Sequence, residues 1–147
     1  MDATDLQLLL LLQKDGRMTV SELSKQLRLS RPSVTERLHR LQERGIIEGF
    51  TATVSPDAVG RGTLLFIQIS ELKVTPLVFE KAAASLPVVL ECHRVTGHIG
   101  YILKAAVAGM EELRILVERL MPYGTLQTSI VLASPVGARP VVPCKLQ

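Results

Sequence analysis

Five arginines, Arg28, Arg31, Arg37, Arg40 and Arg44, crowd a stretch that holds only two glutamates, Glu36 and Glu43. The local excess of three positive charges has the right sign for a phosphate-lined groove, because basic side chains displace the counterions condensed on nucleic acid. Between those arginines, Val34, Leu38 and Leu41 recur at i, i+4 and i+7 and form an apolar stripe along a helix. The opposite face then carries Pro32, Ser33, Glu36, His39 and Arg40, with Arg31, Thr35 and Arg37 on its flanks. Ser30 and Ser33 are short donors able to approach bases or phosphates closely. The candidate DNA-contacting set is therefore Ser30, Arg31, Pro32, Ser33, Thr35, Glu36, Arg37 and Arg40. Taken alone, such a helix is more simply a solvated amphipathic helix with surface arginines, so its surroundings must decide.

Those surroundings are specific. Thr19 followed by Glu22 is a capping box that starts a helix, and Leu23 and Leu27 give it an apolar face. Arg28-Leu29 is a short turn, Ser30 caps the next helix, and Pro32 sits in its first turn, where a missing N–H costs nothing. Gly45 is a suitable residue to end it. A supporting helix, a short turn and a second helix with a basic, hydroxyl-bearing start make a helix-turn-helix, whose second helix enters the major groove of duplex DNA.

Other chemistry finds little footing. The sequence has no HExxH, GxSxG or P-loop. His39, His93 and His98 are not spaced as metal ligands, and Cys92 and Cys144 form no CxxC. Glu111-Glu112 opens a helix, where it complements the helix dipole. The expectation is no enzyme, no cofactor and no metal. The 147 residues are 47% hydrophobic with a net charge of +3, enough for a real core and mildly favourable to an anionic partner. The leucine run Leu8–Leu12 is too short to span a bilayer, which takes about 20 residues, and Asp2 and Asp5 precede it where a signal peptide would be basic. It reads as a buried helix of a soluble, cytoplasmic protein without a membrane partner.

The elements that must position the basic helix follow from periodicity. A first helix spans about Thr4 to Lys14 and stops at Asp15-Gly16; its leucines cover two faces, one for its own core and one for a partner. Ile46-Ile47 and Phe50 to Val54 read as short strands, Ser55-Pro56-Asp57 as a turn, and Gly60-Arg61-Gly62 as a domain boundary, giving domains at 1–60 and 61–147. Beyond it, strands are expected at Thr63–Leu72, Val88–Thr96, Tyr101–Ala108 and Thr125–Ser134. Helices are expected at Thr75–Leu86 and Met110–Met121, and a tight loop at Gly97–Gly100. The class is α+β, and the β-α-β-β-α-β order is ferredoxin-like. A half-exposed four-stranded sheet on so apolar a chain calls for at least a dimer, which would place two recognition helices on one palindromic site. The tail, with Pro135, Pro140 and Pro143, is expected to be extended.

The segment LSKQLRLSRPSVTERLHRLQERGIIEGFTATVSP resembles the N-terminal domain of the Lrp/AsnC, or leucine-responsive, regulators. LPVVLECHRVTG resembles the segment before that family's effector loop, and TSIVL its final strand. The resemblance covers nearly the whole chain. It implies a winged helix-turn-helix joined to a βαββαβ domain, a transcription regulator of double-stranded DNA, and dimers that assemble further, often to octamers. It also implies an amino acid or similar small-molecule effector held between dimers, here near Gly97, His98, Ile99, Gly100, Tyr101 and Thr128, with Ser129 beside Thr128. One departure stands out: the family's loop commonly carries an acidic residue, and Gly97-His98-Ile99-Gly100-Tyr101 has none. A ligand ammonium taken out of water needs a charge or several acceptors. Ordinary α-amino acids are thus expected to bind weakly, no better than about millimolar, unless another carboxylate such as Glu91 serves. Two rivals stay open: an effector-independent, nucleoid-like DNA organiser of the same fold, and a small-molecule-binding or enzymatic α+β domain whose N-terminal helices serve assembly only.

Overall fold

The computed structural model describes residues 1–142, so the expectations for Pro143 and Cys144 lie outside the described residues. The chain divides into two compact units, one of residues 1–53 with the described tail from Val136, and one of residues 54–135.

The first unit holds three helices: α1 (Ala3–Lys14), α2 (Val20–Leu27) and α3 (Arg31–Glu43). Their starts are written locally. Asp2 and Asp5 form a capping box on α1, Thr19 and Glu22 form one on α2, and Ser30 caps α3 through the Ser33 N–H with Pro32 in the first turn. Leu8, Leu9, Leu23, Val34 and Leu41 make the core, with Leu38, Ile46 and Ile47 packed against it. The helix end at Gly45 is also as expected: φ is +65°, the Gly45 N–H donates to the Gln42 carbonyl and the Ile46 N–H to the Leu41 carbonyl. That is the paired closure of a Schellman motif, which needs a left-handed residue.

The expected strands at Ile46-Ile47 and Phe50–Val54 are not formed. The Ile46 and Ile47 N–H groups are spent on the Leu41 carbonyl, closing α3. Phe50–Val54 alternates as a strand should, but among the described residues it has no partner strand, and a ladder needs one. The tail forms no regular element up to residue 142, as its prolines suggest, but it is anchored. The Gln13 side-chain amide accepts from the Val141 N–H (2.7 Å) and donates to the Val141 carbonyl (3.0 Å).

The second unit is a four-stranded antiparallel sheet in the order β2-β3-β1-β4, built from β1 (Thr63–Ser70), β2 (Val89–Arg94), β3 (Ile99–Val107) and β4 (Thr125–Ile130). Helices α4 (Pro76–Ala84) and α5 (Met110–Leu120) connect them in the expected βαββαβ order. Alternate residues Leu65, Ile67, Ile69, Tyr101, Leu103, Ala105 and Val107 turn to the helices and share a core with Phe79, Leu113, Leu116 and Leu120. The other sheet face has no cover within the unit, and Phe66 there is 39% exposed.

Several boundaries move. β1 ends at Ser70 because Glu71 takes a left-handed φ of 48°. β2 and β4 are shorter than expected, and β3 starts two residues early, at Ile99. Ile99 and Gly100 therefore belong to a strand, and the loop moves two residues back, to residues 95–98, closed by the Val95 N–H donating to the Gly100 carbonyl at 3.0 Å.

Candidate functional site

The turn between α2 and α3 is held at both ends. Arg28 takes a left-handed conformation (φ 54°), the Leu29 N–H donates to the Ser24 carbonyl at 3.0 Å, and the Ser24 hydroxyl donates to the Leu29 carbonyl at 2.5 Å. Ser30 then opens α3. With Val34 and Leu41 fully buried, the helix can present only its other side. Arg31, Pro32, Thr35, Glu36, His39, Arg40 and Glu43 line one open strip along it. The Thr35 hydroxyl donates back to the Arg31 carbonyl (3.0 Å), and His39 Nδ1 lies 3.3 Å from Glu43.

Among the described residues, six of the eight candidate DNA contacts have no charged partner: Ser30, Arg31, Pro32, Ser33, Thr35 and Glu36. Arg37 and Arg40 do not. Arg37 Nη1 reaches Asp2 at 2.7 Å and Asp5 at 2.6 Å, and its side chain is 20% exposed. Arg40 Nη2 reaches Asp5 at 3.2 Å and stays 42% exposed. Burial would raise the Asp5 carboxyl, but the Asp2 N–H and the Arg37 guanidinium outweigh it and hold it below the usual aspartate value. Arg37 likewise lowers Asp2, and the two carboxylates hold Arg37 charged. Sequence reasoning missed Asp2 and Asp5. Asp-x-x-Asp ahead of the leucines is a readable helix start, but its pairing with α3 is long-range.

In the second unit, Gly97 has a φ of 102°, which favours glycine, and His98 is exposed. Tyr101 is buried. Its hydroxyl donates to Glu80 Oε1 (2.7 Å) and accepts from Arg94 Nε (2.9 Å), its ring packs 4.7 Å from Phe79, and the Arg94 guanidinium lies 5.6 Å from its centroid. Arg94 Nη2 also lies 3.5 Å from Glu80. Burial and the bond to Glu80 push the Tyr101 phenol up. The carboxylate that meets Tyr101 is thus Glu80, from the middle of α4, which no local signal marked. Glu91, the expected substitute, lies on the uncovered face instead, paired with Lys104 (2.7 Å) and His93 (3.2 Å), which hold its carboxyl low.

Nor does one chain bring Thr128 to the loop. Arg94, Tyr101, Ile69 and Leu126 form one row across the sheet, and Cys92, Leu103, Ile67 and Thr128 the next. Thr128 is on the far edge strand, two strand spacings from β3, about 10 Å. It shares the helix side with Ile67, and Ser129 takes the uncovered side. Among the described residues no cluster of His, Cys, Asp and Glu could hold a metal ion. No helix there is long and apolar enough to cross a membrane.

Two family models match the chain: a winged helix-turn-helix DNA-binding domain over residues 1–48, and the Lrp/AsnC ligand binding domain over residues 64–141. The leucine-responsive regulatory protein of Escherichia coli is 38% identical over 120 residues, 80% of this chain and 73% of its own. The HTH-type transcriptional regulator YezC of Bacillus subtilis is 34% identical, over 91% of this chain and 95% of its own. Among solved structures, LrpC of Bacillus subtilis superposes with a TM-score of 0.89 at 27% identity, covering 94% of this chain and 99% of its own. A transcriptional regulator of Neisseria meningitidis in complex with L-Met does so at 0.88 with 30% identity, covering 96% of each.

Proposed function

This chain belongs to the Lrp/AsnC family of DNA-binding transcription regulators, and from that premise we propose that it reads duplex DNA through the strip on α3. Arg31, Thr35, Glu36 and the exposed part of Arg40 lie at the groove, with Ser30, Pro32 and Ser33 at the helix start. The observation that carries this reading is the strip itself, a continuous solvent-accessible face opposite the fully buried Val34 and Leu41. Residues 1–60 serve DNA binding and residues 61–147 assembly and effector sensing. The protein works in the cytoplasm and catalyses nothing.

A second copy covers the open sheet face around Phe66, and dimers assemble further, toward octamers. The effector is an amino acid or a similar small molecule near Gly97–Tyr101, with Thr128 supplied from a different copy. Glu80 and Arg94 change the expectation of weak amino-acid binding. Side by side at Tyr101, they offer an anion for an ammonium and a cation for a carboxylate, and charge-assisted bonds are roughly twice as strong as neutral ones. That one relative is known in complex with L-Met makes methionine the first compound to titrate. Sequencing DNA fragments bound in cells, with and without added amino acids, tests the reading. One recurrent palindrome with ligand-dependent occupancy supports it. Uniform coverage of the genome favours the DNA-organiser alternative.

A further inference from the structure

The basic character of α3 is not all available to DNA. Asp5 is the one buried charged residue among those described, its side chain 3% exposed. It accepts from the Asp2 N–H on Oδ2 (3.1 Å), from Arg37 on Oδ1 (2.6 Å), and from Arg40 on both oxygens (3.2 and 3.4 Å). A carboxylate of α1 thus grips two arginines one turn apart on α3. The grips differ. Arg37 makes short bonds to two carboxylates and is largely covered, whereas Arg40 makes longer bonds to one and lines the open strip.

We propose that Asp5 selects which arginines of α3 meet DNA, withdrawing Arg37 from the phosphates and holding Arg40 at the rim in a contact that a phosphate can displace. A recognition helix with every arginine free would gain attraction for any sequence alike, since phosphate contacts carry no sequence information. Neutralising some of that charge internally lowers binding to random DNA while leaving base-reading groups in place, and specificity is a difference between two affinities. Asp5 is a positioning residue here: it touches no DNA and acts through Arg37 and Arg40. The proposal rests on α3 being the DNA-facing helix.

The test is the salt dependence of binding to a short random-sequence duplex, by fluorescence anisotropy with the full chain. Each lost phosphate contact flattens the plot of log affinity against log salt by about 0.9 per contacting helix. Arg31→Ala should flatten it so, Arg37→Met should leave the parent slope, and Asp5→Asn should steepen it by about 0.9 for each arginine released and tighten random binding. A merely structural Asp5 would lower stability without steepening the slope. Flattening in Arg37→Met comparable to that in Arg31→Ala overturns the proposal, as does an unchanged slope in folded Asp5→Asn. If Asp5→Asn does not fold, Arg37→Met decides alone. An unchanged slope in Arg31→Ala, with binding intact, is a separate pattern: it removes the DNA-facing reading of α3 and this proposal with it.

Discussion

At the scale of single residues, Asp5 also ties the first unit to pH. Its carboxyl and that of Asp2 titrate below their ordinary value once folded. A depressed folded value means that the stabilisation is complete above the unfolded aspartate value, about 3.9, and fades as pH falls through the lower folded one. Urea unfolding followed by circular dichroism should show the first unit losing stability below that value, with a shallower acid dependence in Asp5→Asn. At neutral pH that variant should cost about 2 kcal/mol, since it strips a buried pair of its charge. Glu80 gives the second prediction at this scale. Calorimetric titration with methionine should show at least about tenfold weaker binding in Glu80→Gln, 1.4 kcal/mol. Equal binding would place the ammonium partner elsewhere. Neither residue stood out in the sequence, because each pairs with a residue distant in sequence: Asp5 with Arg37, Glu80 with Tyr101.

Elements were legible where their signals are local. Thr19 with Glu22, Ser30 with Pro32, and Gly45 announce helix ends through bonds that span three to five residues, and the chain places all of them as read. Replacing Ser30 by Ala should therefore cost about 1 kcal/mol. Gly45→Ala should cost a similar amount, about 1–2 kcal/mol, for forcing a Cβ into a left-handed residue. Urea melts check both, and a Gly45→Ala protein as stable as its parent would show that the helix end can be rebuilt. Strand signals were weaker guides. Thr63–Ser70 and Ile99–Val107 pair as central strands, yet Phe50–Val54, with equally good alternation, pairs with no strand among the described residues. A helix closes its own hydrogen bonds, whereas a strand depends on what the rest of the chain, or another chain, brings beside it. The same dependence explains why the loop was placed two residues too late: Ile99 enters the sheet because Ser70 is there to pair with it.

At the scale of the molecule, the fold class followed from the order of helices and strands, while the effector site did not follow from one chain at all. Thr128 lies across the sheet from Gly97–Tyr101, so one chain alone does not bring these residues together. Assembly is accordingly the first thing to break. Phe66→Asp should leave the helix-side core intact but put a charge on the uncovered sheet face, and light scattering should then report monomers at micromolar concentration. Persistence of the parent oligomer would move the interface off this face. The central claim is that α3 reads sequence, and in vitro selection from a random duplex pool tests it most directly. The full chain should enrich one palindromic motif, and a Thr35→Ala, Glu36→Ala, Arg40→Ala variant that is still folded should enrich none or a different one. Enrichment of the same motif by both proteins would contradict the claim.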